Sequence, residues 1–414
     1  MSMAFSVSRE EKVVVKPCWA RVSGPLEPYA AGLRPELERL GYTPLSAAGH
    51  VRLVAHLSRW MAVRDVAASG LTLTVVDAYF ADRRAAGYTG WLTRRSVSWL
   101  LEYLRKLEVL ALEPPVEAAT PAARLLERFR EYQLTERGLA ASTAELNVRL
   151  TAKFLDSRQR DGGELDLNVD AAAINAFVVS YGCCWPRSVA RMVTALRSLL
   201  RFLHVDGVLQ VPLTVPSTAG WALAGLPKAL SADQVVTLLA ACDRSTATGC
   251  RDYAVLLLLS RLGLRAGEVA GLRLDDIDWH SGEITVRGKA NRHDRLPLPA
   301  DVGAAIVDYL HHARPATALD RTVFLRAQAP YRALTSVGVT TLVSIVGCRC
   351  GLGPVHAHRL RHTAATRMLA AGASLPEIGQ VLRHRQVSTT AIYAKVDHER
   401  LRALARPWPT AVTR

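Results

Sequence analysis

The segment from His356 to Tyr393 holds side chains that together suit phosphoryl transfer. His358 and Arg361 lie three residues apart at the start of a predicted helix, so both side chains share one helical face. His384 follows 23 residues after Arg361, and Tyr393 follows nine residues after His384. A guanidinium binds two phosphate oxygens, an imidazole donates hydrogen bonds or moves protons near neutral pH, and a phenol can act as nucleophile. The segment therefore predicts a site where a tyrosine attacks a phosphate ester.

This order of H-x-x-R, histidine and tyrosine resembles the C-terminal signature of the tyrosine recombinases, the phage integrase family. That signature has a second arginine upstream, and the stretch LGLRAGEV supplies Arg265. It also has a lysine in a β-hairpin turn between the two boxes, and the stretch EITVRGKAN supplies Lys289. The resemblance is close from about Leu226 to the C-terminus and loose from about Pro121 to Gly207.

The resemblance implies a breaking and rejoining reaction on double-stranded DNA. The tyrosine forms a 3′-phosphotyrosyl link and expels a 5′ hydroxyl, and a 5′ hydroxyl of another duplex then attacks that link. The arginines clamp the phosphate, the histidines hydrogen-bond it or move the proton of the nucleophile, and the lysine protonates the leaving oxygen. Since the link keeps the phosphodiester energy, we expect no metal and no cofactor. The implied catalytic residues are Arg265, Lys289, His358, Arg361, His384 and Tyr393.

Neighbouring side chains have expected supporting roles. Glu268, three residues after Arg265, is expected to orient that arginine or another group of the site, and His362 to lie in a second layer behind the catalytic residues. Three arginines around Lys289 are expected to contact DNA: Arg287, Arg292 and Arg295. The family commonly has glycine directly before the later histidine, because glycine suits a left-handed helix cap. This chain has Arg383 there, which puts the local geometry in question.

Three other interpretations stay open at this point. Cys348, Cys350, His356 and His358 form a candidate zinc set, although their spacing fits no zinc-finger pattern well. A type IB topoisomerase uses similar tyrosine chemistry as a monomer, and relaxed supercoils would be its only product. A DNA-binding accessory protein without catalysis is the third, and the intact catalytic set argues against it. The sequence has neither a P-loop nor a clear acidic cluster for a two-metal nuclease.

Composition bounds the class of protein. The 414 residues suffice for two or three domains, and a 50% hydrophobic content allows packed cores. A net charge of +15 and a pI of about 9.9 favour a polyanionic partner, nucleic acid first. The seven cysteines are an odd, scattered set, and no apolar run reaches the roughly 20 residues of a membrane helix. We therefore expect a cytoplasmic protein without a membrane partner.

The expected fold is mainly α-helical with a small antiparallel β-sheet in the catalytic domain. Residues 1–27 form a poorly defined lead-in, and 28–112 form an N-terminal helical domain. After the proline-rich linker LEPPVEAATP, residues 121–210 resemble the SAM-like core-binding helical domain of the family. The catalytic domain covers 226–414. Its expected strands are Leu274–Asp278, Glu283–Val286 and Arg295–Leu298.

The two helical regions that precede the catalytic domain resemble each other. Arg39–Leu53 lies against Glu136–Leu150, an offset of 97 residues from 39 to 136, and both contain the triplet V-R-L. Two further motifs, R-S-V from Arg95 and L-R-x-L from Leu104, recur 92 residues later. We interpret this as duplication of one helical domain, with chance similarity as the alternative. In the family, a domain like the second copy clamps DNA opposite the catalytic domain, so the first copy is expected to extend the DNA contact or meet a partner.

The resemblance also implies an assembly. Four protomers, of one kind or two, act on two DNA sites and exchange one pair of strands before the other. The tail after Tyr393, AKVDHERLRAL, is expected to form a short amphipathic helix that packs on a neighbouring protomer or on its own domain. A mobile-element recombinase is the favoured subtype.

Overall fold

A computed structural model describes residues 18–111, 120–159, 164–216, 229–288, 293–316, 318, 320–384 and 386–393. These residues form α-helices and one three-stranded antiparallel sheet, which confirms the predicted fold class. Lys289, Arg292 and the tail after Tyr393 lie outside the described residues. Within the described ranges, no helix is long and apolar enough to cross a membrane.

The first helical region has a hydrophobic core of its own. Its α-helices are α1 (Ala30–Arg39), α2 (Pro44–Val63), α3 (Leu73–Ala85) and α4 (Ser98–Lys106). Helix α2 begins directly after Thr43, whose side chain accepts a hydrogen bond from the N–H of Ser46. Val22 and Leu26, which belong to the predicted lead-in, are buried in this core. Leu26 also donates its N–H to Oγ of Ser58 on α2, so part of the lead-in packs with the helices.

The second helical region likewise surrounds a separate core. Its α-helices are α5 (Pro121–Thr135), α6 (Ala141–Asp156), α7 (Ala171–Cys184) and α8 (Val189–Val205). Phe129 and Phe202 pack with ring centroids 5.5 Å apart, which joins α5 to α8. The buried amide of Asn147 donates to Oε1 of Gln133 at 2.6 Å and joins α6 to α5. The domain limits and the duplication remain predictions.

The third region holds the sheet and the remaining helices. Its elements are α9 (Ala232–Ala240), α10 (Ala247–Arg261), α11 (Ala266–Ala270), β1 (Ile277–Asp278), β2 (Glu283–Arg287), β3 (His293–Pro297), α12 (Ala300–His312), α13 (Ser336–Arg349), α14 (Ala357–Ala370), α15 (Leu375–Val381) and α16 (Val387–Ala391). The strand order is β1-β2-β3, and Ile284 of β2 lies opposite both Ile277 and Leu296. These three side chains are buried, because alternate strand residues face the core.

The first predicted strand, Leu274–Asp278, is shorter in the structure. Leu274–Asp276 forms a 3₁₀ turn, and only the last two residues pair with β2. The cause is local hydrogen bonding: the Asp276 carboxylate accepts the N–H of Arg273 at 2.9 Å and the guanidinium of Arg287 at 2.7 Å. A carboxylate engaged in this way caps a turn and competes with an extended conformation.

The first and third regions together form one compact unit, and the second region forms the other. Within the first unit, Tyr331 donates its N–H to the carbonyl of Leu40 at 3.3 Å, and Arg332 pairs with Glu102 at 2.6 Å. Gly41 has a φ of +85°, and a Cβ there would lie 2.1 Å from Cε2 of Tyr331. Glycine is therefore required at this contact for both its backbone conformation and its lack of a side chain.

Candidate active site

Arg361 lies at the centre of the site, on the buried face of α14. Only 1% of it is exposed. Its Nη1 donates to the carbonyl of Gly263 at 2.5 Å, and its Nη2 donates to the carbonyl of Leu382. Burial and the nearby charge of Arg265 lower the pKa of Arg361 to about 10, so the guanidinium stays charged at neutral pH. The segment after α10 and the end of α15 thus hold this cation in place.

Arg265 is held by Glu268 in the first turn of α11. The Glu268 carboxylate accepts the backbone N–H of Arg265 at 2.8 Å and its Nη1 at 2.7 Å. Burial raises the pKa of Glu268, but the Arg265 N–H and the charges of Arg383 and Arg265 outweigh it and lower the pKa overall. Glu268 is therefore an anion that fixes both the backbone and the guanidinium of Arg265.

Arg383 is a third arginine at the site, in the position where the family commonly has glycine. It has a φ of +57°, and His384 donates its N–H to the carbonyl of Gly379 at 2.9 Å, which closes the end of α15 as a left-handed cap does. Its Nη2 pairs with Glu268 at 2.6 Å, and its side chain is 7% exposed. The arginine thus adopts the conformation that glycine would provide, and the ion pair offsets a cost of about 1–2 kcal/mol.

We expect Arg383→Gly and Arg383→Ala to separate these two effects. Glycine removes the backbone strain and the ion pair together, whereas alanine keeps the strain and loses the ion pair. The alanine variant should therefore be less stable than the glycine variant by about 1–2 kcal/mol. Both should cleave DNA roughly tenfold more slowly, about 1.4 kcal/mol, because the site loses a cation and Glu268 loses a partner. Thermal unfolding and single-turnover cleavage of a nicked duplex measure this, and wild-type cleavage by either variant would contradict it.

Tyr393 follows α16 and is 1% exposed, packed with Ile378 and Leu382. Its hydroxyl lies 2.9 Å from Nδ1 of His362, and its ring is parallel to that of His384 with centroids 6.4 Å apart. Burial raises the pKa of Tyr393, and the charge of Arg361 opposes that shift. The structure thus places His362, expected in a second layer, in direct contact with the proposed nucleophile.

The three histidines of the site all have lowered pKa values, which favours their neutral form. Burial, together with the charge of neighbouring groups, lowers the pKa of both His362 and His384 to about 4 and also lowers that of His358. The ring of His358 meets that of His362 edge to face at 4.5 Å, and Nδ1 of His384 lies 2.7 Å from Oγ1 of Thr390. A neutral imidazole has one ring nitrogen with a free lone pair, so in the tautomer that leaves Nδ1 unprotonated His362 accepts a hydrogen bond from the phenol.

A cavity of about 910 Å³ opens beside these side chains. Its lining includes Arg265, Glu268, Arg383 and His384, and also Gly288 and Asp294, which lie on either side of the undescribed turn of the hairpin. Lys289 belongs to that turn, so its position relative to the cavity stays a prediction. The cavity offers a charged recess next to the arginines, of a size that accommodates a phosphodiester.

Two arginines of the hairpin, Arg287 and Arg295, differ in the ion pairs that their side chains form. Arg287 donates to the buried carboxylate of Asp276 at 2.7 Å. Arg295 is exposed and lies 3.7 Å from Glu283. Arg295 therefore has the freer guanidinium of the two, and its contact with DNA, like that of Arg287 and Arg292, remains a prediction.

The zinc alternative finds no support in the described residues. Among them, no group of three or more histidine, cysteine, aspartate or glutamate side chains is arranged to hold a metal ion. Cys348 is exposed on α13, and the ring of His358 packs against His362 instead.

Comparison with known proteins identifies the family. The sequence model of the phage integrase family matches residues 228–400. The chain is 40% identical to y4rA of Sinorhizobium fredii, whose name provisionally assigns it to the integrases and recombinases, over 93% of this chain and 95% of y4rA. It is 32% identical to the tyrosine recombinase XerD of Listeria monocytogenes, over 67% of this chain and 96% of XerD.

Two solved structures share the fold. XerH bound to a palindromic difH substrate matches with a TM-score of 0.55 and 17% identity, over 83% of this chain and 97% of XerH. A lambda integrase tetramer bound to a Holliday junction matches with a TM-score of 0.52 and 15% identity, over 78% of this chain and 91% of the integrase. These likenesses confirm the fold of helices and a small sheet.

The chain belongs to the phage integrase family of tyrosine recombinases. It is a site-specific recombinase, an enzyme that breaks and rejoins DNA, and the resemblance seen in the sequence motifs is confirmed. The comparisons favour neither the topoisomerase nor the inactive accessory protein.

Proposed function

We propose that Tyr393 cuts one DNA strand and stays linked to its 3′ phosphate, with Arg265, Arg361 and the site histidines around the phosphate. One observation carries this proposal: side chains from separate segments of the chain lie close together. Arg265 and His384 line one cavity. The buried phenol of Tyr393 lies beside His384 with its hydroxyl at His362 of α14, and the buried Arg361 of α14 is held by the carbonyls of Gly263 and Leu382. These groups are the parts that tyrosine-based phosphoryl transfer needs.

In the proposed step, the phenol oxygen of Tyr393 forms a bond to phosphorus while the bond from phosphorus to the 5′ oxygen breaks. The phenol proton moves to a base, and Nδ1 of His362 is within hydrogen-bond distance of the hydroxyl. The leaving 5′ oxygen takes a proton, for which Lys289 is the candidate donor by family resemblance. Attack by a 5′ hydroxyl of a second duplex reverses these bond changes and restores the phenol.

The charge of the site suits this chemistry. The cavity is lined by two guanidiniums, those of Arg265 and Arg383, and by two carboxylates, those of Glu268 and Asp294. With the buried guanidinium of Arg361, these groups carry a net formal charge of +1. Two arginine charges exceed the single negative charge of a phosphodiester and can also stabilise the extra charge that develops on its oxygens during attack. The glutamate pairs with both Arg265 and Arg383 and orients them.

We also propose the finer features of the assembly. The partner is double-stranded DNA, the active form is a tetramer on two sites, and the protein acts on a mobile element in the cytoplasm. The second helical region supports a DNA partner through an open groove of about 900 Å³ between α6 and α8. Arg137, Arg197 and Arg201 line this groove.

The product of the reaction tests the proposal. The probe is a duplex with the sequence of the DNA that flanks the gene, where the ends of a mobile element are expected. It carries a nick so that the covalent protein–DNA complex is trapped after cleavage. We expect a slower-migrating protein–DNA band and, on intact sites, recombinant junctions. Relaxation of supercoiled DNA without junctions would support a topoisomerase instead and overturn the recombinase assignment.

Cleavage of the nicked duplex is expected to persist in EDTA and without ATP. The physical reason is that guanidiniums rather than metal ions neutralise the phosphate in this site. The measurement compares the yield of covalent complex with and without chelator at constant ionic strength. A strict requirement for magnesium or zinc in the cleavage step would contradict the mechanism.

A further inference from the structure

We propose that the first helical region is a second DNA-contacting module, and that one face of α2 binds the phosphate backbone of a duplex. This face, called the α2 face, consists of Arg52, His56 and Arg59 with Tyr88 and Trp91 of the loop after α3. The inference rests on the proposed function only in taking DNA as the partner.

The residues of the α2 face are contiguous. Arg52, His56 and Arg59 are spaced four and three residues apart, so they form one stripe on α2. The two arginines are exposed and lie about 10.5 Å apart along the helix axis. Tyr88 has its ring centroid 5.6 Å from that of His56, and Trp91 lies beside Gly49, one turn before Arg52. A basic stripe with flanking aromatic rings is typical of nucleic-acid surfaces.

The loop that carries Tyr88 and Trp91 is held in place by two arginines of α3. Arg83 lies under the ring of Tyr88, 3.9 Å from its centroid, and donates to the carbonyl of Gly90 at 3.3 Å. Arg84 donates to the carbonyl of Leu92 at 3.2 Å. Tyr88 and Trp91 remain 45% and 41% exposed. Two large rings are thus presented to solvent from an anchored loop, beside the arginines of α2.

The arginines of the α2 face are also free to bind an anion. Neither Arg52 nor Arg59 has an ion pair with any described residue. Four other arginines of the same region are paired with a carboxylate: Arg34 with Glu38, Arg39 with Glu36, Arg64 with Asp82 and Arg94 with Asp77. An unpaired guanidinium can bind phosphate without giving up a partner. Burial and the charges of Arg83 and Arg59 lower the pKa of His56, so the arginines provide the charge.

Elements of the first helical region have counterparts in the second region at the same offsets, 97 and 92 residues, that the sequence motifs show. Helix α2 begins at residue 44 and α6 at residue 141, an offset of 97. Gly41 and Gly138, also 97 apart, are both left-handed, with φ values of +85° and +57°. The 3₁₀ turns Arg94–Ser96 and Pro186–Ser188 are 92 apart. These coincidences support the duplication over chance similarity.

Part of this basic surface recurs in the second region. At the offset of 97, Arg52 corresponds to Arg149, which is also exposed, and His56 corresponds to Lys153, whereas Arg59 corresponds to the acidic Asp156. The ammonium of Lys153 lies 5.0 Å from the ring centroid of Trp185. Two basic residues beside an exposed aromatic ring are therefore present on α6, as on α2, and the third position of the stripe is acidic on α6. Because the second region is the proposed core DNA contact, the shared surface points to the same ligand.

Two positions that line the groove of the second region have counterparts in the first region that are engaged within the chain. Arg137 and Thr194 line that groove, and they correspond to Leu40 and Glu102 at the offsets of 97 and 92. Leu40 and Glu102 contact Tyr331 and Arg332 of the third region. The first copy thus uses these two positions for contact within the chain, whereas the arginines of the α2 face are exposed.

Full-length protein carrying R52Q and R59Q tests the proposal against a matched control carrying R34Q and R39Q. Both double variants lose two charges from the same region, but the control loses arginines that are already paired. The probe is a labelled duplex of arbitrary sequence, and fluorescence anisotropy gives affinity over a range of salt concentrations. Each phosphate contact contributes about 0.9 to the slope of log affinity against log salt, so R52Q/R59Q should lower the slope by about 1.8.

The control should retain the wild-type slope, and thermal unfolding should show both variants folded. Equal slopes for R52Q/R59Q and wild type would overturn the proposal, and an altered oligomeric state with an unchanged slope would assign the α2 face to a protein partner instead. The trapping of a covalent complex reports separately on the proposed function. If no covalent complex is trapped but R52Q/R59Q still lowers the salt slope, the DNA contact of the α2 face is supported and the catalytic assignment is wrong.

Discussion

Tyr393→Phe is expected to abolish covalent attachment to DNA and to retain DNA binding. The substitution removes the hydroxyl that attacks phosphorus and keeps the ring that packs against Ile378 and Leu382. It also leaves Nδ1 of His362 without its hydrogen-bond partner, so a modest loss of about 0.5–1.5 kcal/mol in stability is expected. The measurement is the yield of covalent complex on a nicked duplex, together with the dissociation constant for the intact duplex.

Tyr309→Phe is the matched control for this prediction. Tyr309 is also buried, and its hydroxyl accepts the N–H of Leu325 at 3.2 Å. That variant should lose comparable stability and still form the covalent complex, which separates lost chemistry from lost packing. A trapped band from Tyr393→Phe would remove this tyrosine as nucleophile.

Arg265→Gln and Arg361→Gln are each expected to slow cleavage by about 100- to 1,000-fold, the usual effect of removing one preorganised donor to a developing anion. Their effects on stability should differ. Arg361 is buried and donates to the carbonyls of Gly263 and Leu382, so its loss leaves two buried acceptors unpaired at about 1–3 kcal/mol each. The Arg265 side chain is 37% exposed and is held mainly by Glu268, so its loss should change stability little.

Single-turnover cleavage and thermal unfolding of both variants test this prediction. The matched control is Arg261→Gln, which removes a surface arginine paired with Asp301 at the end of α10, four residues before Arg265. The control should cleave at the wild-type rate. Wild-type cleavage by Arg265→Gln would exclude this residue from the phosphate clamp, and an unchanged melting temperature for Arg361→Gln would contradict its structural role.

Local pattern was sufficient for most elements of the fold. The helical regions before the catalytic domain were predicted, and a local signal also marks α9, because Ser231 precedes it and forms a capping box with Gln234. Predicted strand limits were less accurate, because the carboxylate of Asp276 bonds to Arg273 and Arg287 and turns half of the first strand into a 3₁₀ turn. The start of α10 at Ala247 is likewise set by a cap, that of Thr246, in a stretch without a strong apolar period.

The sequence by itself determined the family and the order of the candidate catalytic residues, because H-x-x-R, the later histidine and Tyr393 have short, characteristic spacings. Only the tertiary structure decided which side chains touch. Glu268 pairs with Arg383 across 115 positions of sequence, and the phenol of Tyr393 meets His362 across 31. Local spacing carries no information on such contacts, since they depend on how α11, α14 and α15 pack. The same packing lets Arg383 take the place of a glycine, because Glu268 lies where it can bind the guanidinium.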